Sequence, residues 1–176
     1  EYERKDLWSG YTQKRDWHRL SMVFSGRKNE MWNFDGLVEK AKLKALIDLT
    51  WNAYEGEFSW KRDLPLGFYV EPAFKARYGE GEEGNEFNAL LKEGRLGIGY
   101  LWNSQIDVSV SCSAIHLATD FDYLPYSLMS GYDKGLTWRI EANGELSLGD
   151  YLSLGTRYIL RIGDVDKNIF LKPLYG

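Results

Sequence analysis

The sequence predicts an all-β fold: a closed antiparallel up-and-down β-barrel of about eight transmembrane strands. Three observations lead there. Apolar and polar residues alternate with a period of two over long stretches, as in Leu136, Trp138, Ile140, Ala142 against Thr137, Arg139, Glu141, Asn143. The connections fall into a longer and a shorter set. The polar parity carries charges of both signs in mid-strand, which an enclosed interior can pair.

The segments follow in order. Residues 1–16 are polar with scattered aromatics and stay unassigned; the barrel domain is placed at 17–176. Leu20, Met22 and Phe24 share a face opposite Arg19, Ser21, Val23 and Ser25. Residues 27–35 read as a loop. A long two-faced strand runs from Leu37 past Trp51, with Ala41, Leu43, Ala45, Ile47, Leu49 and Trp51 on one side and Lys40, Lys42, Lys44, Asp48 and Thr50 on the other. Continued to Trp60 its parity flips near Asn52, with Glu55, Glu57 and Ser59 on the polar side, so a bulge or turn is expected there. After a turn at 61–65, Phe68, Val70, Pro72, Phe74, Ala76 and Tyr78 oppose Tyr69, Glu71, Lys75 and Arg77. The 79–86 segment (GEGEEGNE) is a loop without a core-forming residue. Its carboxylates lack the regular oxygen spacing of a calcium loop, so it reads as solvated.

Leu96, Ile98, Tyr100 and Trp102 then oppose Arg95, Gly97 and Gly99. Asn103-Ser104 turns the chain into Ile106, Val108, Val110, Cys112 and Ala114 against Asp107, Ser109, Ser111 and Ser113. A long loop spans 119–134. The strand from Leu136 to Leu148 meets a turn at Gly149-Asp150. Leu152, Leu154, Tyr158, Leu160 and Ile162 follow, facing away from Arg157 and Arg161. A turn at 163–167 leads to a last strand beginning near Asn168. Pro72 and Pro173 fall inside strand segments and each removes a ladder donor, which requires bulges or a larger assembly of which this chain is a piece.

Composition bounds the function. The chain has 176 residues and a net charge of −4, too acidic and too mixed in sign for a nucleic-acid binder. No apolar run reaches the length of a membrane helix. Mean hydropathy is −0.44, an average that would hide a lipid-facing stripe. The single cysteine, Cys112, excludes an internal disulfide. No metal spacing, phosphate loop or cofactor motif is present, and no cofactor is expected. His18 and His116 share the apolar parity, so neither is placed to activate a serine on the polar side.

Alternation alone does not say which face looks inward. Aromatics near strand ends on the apolar face place that face in lipid, with Trp51, Tyr78, Trp102 and Trp138 as interfacial anchors. Small residues on the other face (Gly97, Gly99, Ser109, Ser111, Ser113, Gly155) suit a narrow interior crowded by long charged chains. The predicted polar network of that interior is Lys42, Lys44, Asp48, Glu71, Lys75, Arg77, Arg95, Asp107, Arg139, Glu141, Arg157 and Arg161. The alternation and loop lengths resemble those of the small outer-membrane β-barrels of Gram-negative bacteria. That resemblance implies outer-membrane localisation and membrane lipid as a partner.

The expected role is non-enzymatic, with long loops contacting a protein partner, a surface or other subunits. The 119–134 loop is the predicted contact, through Phe121, Tyr123, Leu124, Tyr126, Met129 and Tyr132, which are too apolar for idle exposure. Its alternative is folding over the barrel mouth as a plug. Two other functional readings stand beside this one: a soluble lipocalin-like barrel carrying an apolar ligand, and a narrow pore or lipid-modifying barrel enzyme.

Overall fold

In the computed structural model the described residues are 2–6, 11–26, 29–44, 49–82, 86–103, 105–120, 129, 132, 134–147 and 152–163. They form β1 (Tyr2–Asp6), β2 (Tyr11–Ser25), β3 (Glu30–Lys44), β4 (Leu49–Asp63), β5 (Phe68–Gly81), β6 (Asn88–Trp102), β7 (Ile106–Thr119), β8 (Gly135–Ser147) and β9 (Ser153–Gly163), with one 3-10 turn at Pro65–Gly67. Every strand pairs antiparallel with the next, giving a nine-stranded meander in sequence order. The up-and-down all-β prediction therefore holds.

Several boundaries differ from expectation: residues 61–63 end β4, residues 79–81 end β5, and β6 starts already at Asn88. Most of 27–35 is the start of β3, and part of 1–16 lies in β1 and β2. The stretch from Leu37 to Trp60 is two antiparallel strands, not one: β3 ends at Lys44, β4 starts at Leu49, and Leu43 faces Leu49. The chain thus reverses before Asn52. Around Asn52 itself the β3–β4 register runs one to one from Leu43↔Leu49 to Glu30↔Arg62, so β4 passes that point without a bulge. What changes there is the chemistry of the inner face, described below. Pro72 is accommodated without a bulge as well. The β4–β5 ladder skips from Ser59↔Ala73 to Arg62↔Val70 in unchanged register, while Pro72 keeps its place opposite Leu96 on β6. The missing N–H costs one local stretch of ladder and leaves the strand's phase intact. The last predicted strand, with Pro173, lies outside the described residues.

With the corrected boundaries the end asymmetry shrinks to two connections, 82–87 and 120–134: the expected long loop at 27–35 is short and sits at the opposite end, and 7–10 and 45–48 are no longer than 26–29 and 64–67. The connections 7–10, 45–48, 82–87 and 120–134 lie at one end, and 26–29, 64–67, 103–105 and 148–152 at the other. Among the described residues no ladder joins β9 to β1 or β2, so the sheet is open. It is nonetheless strongly curled. One apolar cluster gathers residues of β3, β4, β6 and β7. The nine-strand count has a geometric consequence. β1 and β9 run in the same direction, so an antiparallel closure must bring β9 to β2, whose residues 16–25 extend past the end of β1.

Candidate functional site

The inner face changes character along the strands. At the end with the long connections it is apolar: Ala41 on β3, Leu49, Trp51 and Ala53 on β4, Ala89 and Leu91 on β6, and Ile115 and Leu117 on β7 pack with Phe87 and Met129. Trp51 and Ile115 are 0 % exposed. This plug explains why the apolar parity switches near Asn52. The same inward positions of β4 read Leu49, Trp51, Ala53 and then Glu55, Glu57, Ser59, because the interior is dry above and ionic beneath.

Beneath the plug the inward side chains form connected ion pairs. Glu39, with its side chain 0 % exposed, sits between the guanidiniums of Arg15 and Arg77. The indole N–H of Trp51 donates to its Oε1 at 3.4 Å, tying plug to network. Arg77 also donates to Glu55 at 3.0 Å, and Glu55 accepts from Lys75 at 2.7 Å. Arg139 bonds Glu93 and donates to the Tyr132 hydroxyl at 2.9 Å, while Glu141 joins it to Arg157, 2.8 Å away. Arg95 meets Glu71 at 3.0 Å and Glu57 at 3.8 Å. Tyr69 donates to Asp107 at 2.8 Å and carries the Lys61 ammonium over its ring. Charges removed from water are tolerable only when paired and hydrogen-bonded in this way. A polar recess of about 380 Å³ remains on the β7–β9 side, walled by Asp107, Ser109, Asn143, Glu145 and Arg157.

Of the residues predicted for the polar network, Glu71, Lys75, Arg77, Arg95, Asp107, Arg139, Glu141 and Arg157 take part in these contacts, and Arg161 stacks over the Tyr132 ring at 4.8 Å. Lys42 does not. It is exposed on the outer face, because its neighbour Ala41 and the partner of Ala41, Trp51, are the ones turned inward. The side chain of Lys44 and all of Asp48 lie outside the described residues. Trp51 is not an interfacial anchor, being buried in the plug. Tyr78, Trp102 and Trp138 do lie exposed on the outer face. In the 119–134 connection, Phe121, Tyr123, Leu124 and Tyr126 lie outside the described residues. Met129 is 1 % exposed and Tyr132 packs on the same cluster, so these two belong to the plug and not to an exposed contact.

The sequence-predicted network lacks Arg15, Glu39, Glu55, Glu57, Glu93 and Tyr69. Glu39 and Glu93 could not be found by parity once β3 was given the wrong phase and β6 a late start. Glu55 and Glu57 were legible, since with Ser59 they carry the polar parity of that segment.

The outer face is apolar and exposed in the middle and charged at its borders. Leu20, Met22, Phe34, Phe74, Leu96, Ile98, Val108, Val110, Ile140 and Leu160 all lie open on it. Toward the short-connection end Phe24, Trp32, Phe34, Phe58 and Trp60 form a continuous aromatic patch, with centroids 4.9 to 6.1 Å apart. On β3 the outward series runs from Glu30 to Lys40, and on β4 from Asn52 to Arg62, with only apolar residues and glycine between. Arg62 pairs with Glu30 at one border, and Lys40 pairs with Glu82 at the other. At ~3.3 Å per residue and the usual tilt of ~40°, each ten-residue interval covers ~25 Å, the height of the apolar band on membrane barrels.

His18 and His116 are exposed on this outer face, while Ser113 is buried on the inner one. Among the described residues no three His, Cys, Asp or Glu side chains converge to hold a metal ion. No helix of the described residues is long and apolar enough to cross a membrane, which leaves crossing by strands untouched. No protein-family model matches the chain, and no match was found among curated proteins or solved structures.

Proposed function

We propose that the chain is a non-enzymatic outer-membrane β-barrel of a Gram-negative bacterium, closed by β2 against β9 and blocked to solutes by its plug. The observation that carries this reading is the inversion of polarity: aliphatic and aromatic side chains exposed outside, ion pairs buried inside. Val110 is 56 % exposed while Arg77 is 5 % exposed. Water offers nothing for so large an apolar surface, whereas lipid makes it the favourable arrangement. A soluble carrier needs the reverse, an apolar cavity, and here the middle of the interior is ionic.

Closure follows from the same logic. Among the described residues the outer edges of β2 (16–25) and β9 have no ladder partner, and a bilayer does not tolerate rows of unpaired N–H and C=O groups. With the plug and the ion-pair network filling the interior, the working surfaces are the lipid-facing band and the end bearing the long connections, where a partner would bind.

The test is folding into detergent micelles or phosphatidylcholine vesicles. The expected outcome is a heat-modifiable gel band, with the amides of 16–25 and 153–163 protected from hydrogen exchange. A chain that stays folded and monodisperse in plain buffer overturns the membrane reading. Rapid exchange along both edges in the folded state overturns closure.

A further inference from the structure

We infer that the outer face carries a seat for an anionic membrane lipid, with its phosphate on Lys92 and His116 and an acyl chain in the furrow below them. The inference rests on the membrane reading and adds a lipid class to it. Lys92 on β6 faces His116 on β7 directly in register, and both are exposed on the outer face. Among the described residues neither has an ion-pair partner. Two such side chains opposite one another repel when both are charged, and an anion between them reverses the sign.

The nearest outward carboxylates along the strands, Glu80 and Asp120, lie level with Asn88, four residues from Lys92. Two residues along from the pair, away from Asn88 and Asp120, the outward positions are Gly94 and Ala114, again in register. A Cβ added at Gly94 would meet nothing within 4 Å. The next strands on either side place Phe74 opposite Gly94 and Trp138 opposite Ala114, both about half exposed. The result is a furrow two strands wide, floored by the smallest residues, walled by two aromatic rings, and headed by two basic groups. Charge and apolar surface are thus stacked in the order of a phospholipid's own headgroup and chain.

The experiment folds the full chain into phosphatidylcholine vesicles with and without phosphatidylglycerol. Lipids retained after detergent release are then counted by native mass spectrometry. Phosphatidylglycerol is expected to be retained in preference to phosphatidylcholine. Lys92→Gln and His116→Gln should each cut that preference, by about fivefold for a full unit of charge. Gly94→Leu, which fills the furrow and leaves both basic groups in place, should lower retention of both lipids. Lys42→Gln, on the same outer face but away from the furrow, should leave retention unchanged. Insertion with no preference for phosphatidylglycerol, or a preference untouched by Lys92→Gln and His116→Gln, overturns the lipid seat alone. Failure to insert into either vesicle overturns the membrane reading and the seat with it.

Discussion

Glu39 shows how much rests on single side chains inside this sheet. Its carboxylate is fully buried and held by Arg15, Arg77 and the Trp51 indole. Removing it leaves Arg77, itself 5 % exposed, with less compensation in a place water does not reach. Glu39→Ala should therefore cost about 3–5 kcal/mol, the range for breaking a buried pair from one side. Arg15→Ala should cost clearly less, because Arg77 still holds the carboxylate. Urea unfolding in micelles, followed by tryptophan fluorescence, measures both. Equal midpoints for Glu39→Ala and the unmodified chain would mean that the network is not the buried cluster described. The residue was invisible to parity reasoning for a specific cause: an apolar run from Ala41 to Trp51 looked like one strand, and that reading turned Glu39 the wrong way.

At the scale of elements, legibility followed the turns. β7, β8 and β9 were read with nearly their observed limits because Asn103-Ser104 and Gly149-Asp150 are strong turn signals and the alternation within each strand is unbroken. The β3–β4 reversal carries Ala45, Leu46, Ile47 and Asp48, with no glycine, proline or asparagine to mark it. The inner parity of β4 also changes from apolar to charged on passing from plug to network, which a periodicity argument mistakes for a break in the backbone. The orientation of the faces was legible from the small residues of the polar parity, and the β5–β6 pair shows why. Tyr69 lies opposite Gly99, and a Cβ at Gly99 would run into the Tyr69 ring that reaches Asp107. Gly99→Val should lower stability by about 1–3 kcal/mol, the usual cost of overpacking. In a Tyr69→Ala background the same change should cost almost nothing, a strong non-additivity between residues in contact. Additive losses in the double mutant would show that the two positions do not share the space.

For the whole molecule the decisive quantity is the medium that the outer face meets, and Val110 reports on it. It sits on β7 inside the apolar band, is 56 % exposed, and looks away from the ion pairs. In a protein surrounded by water, an arginine at so open a position changes stability by no more than about 0.5 kcal/mol. In a membrane-spanning barrel the same arginine must enter hydrocarbon, at about 2–4 kcal/mol near the midplane and little near the borders. Val110→Arg should therefore strongly reduce the folded, heat-modifiable fraction in vesicles. Gln105→Arg, exposed in the short connection before the same strand, should leave it unchanged. The contrast isolates depth from charge, since both variants gain one arginine on an exposed site. If Val110→Arg folds as well as Gln105→Arg, the apolar band is not in lipid. Its exposed surface would then have to be covered by protein, through a second copy or a partner laid against β6, β7 and β8.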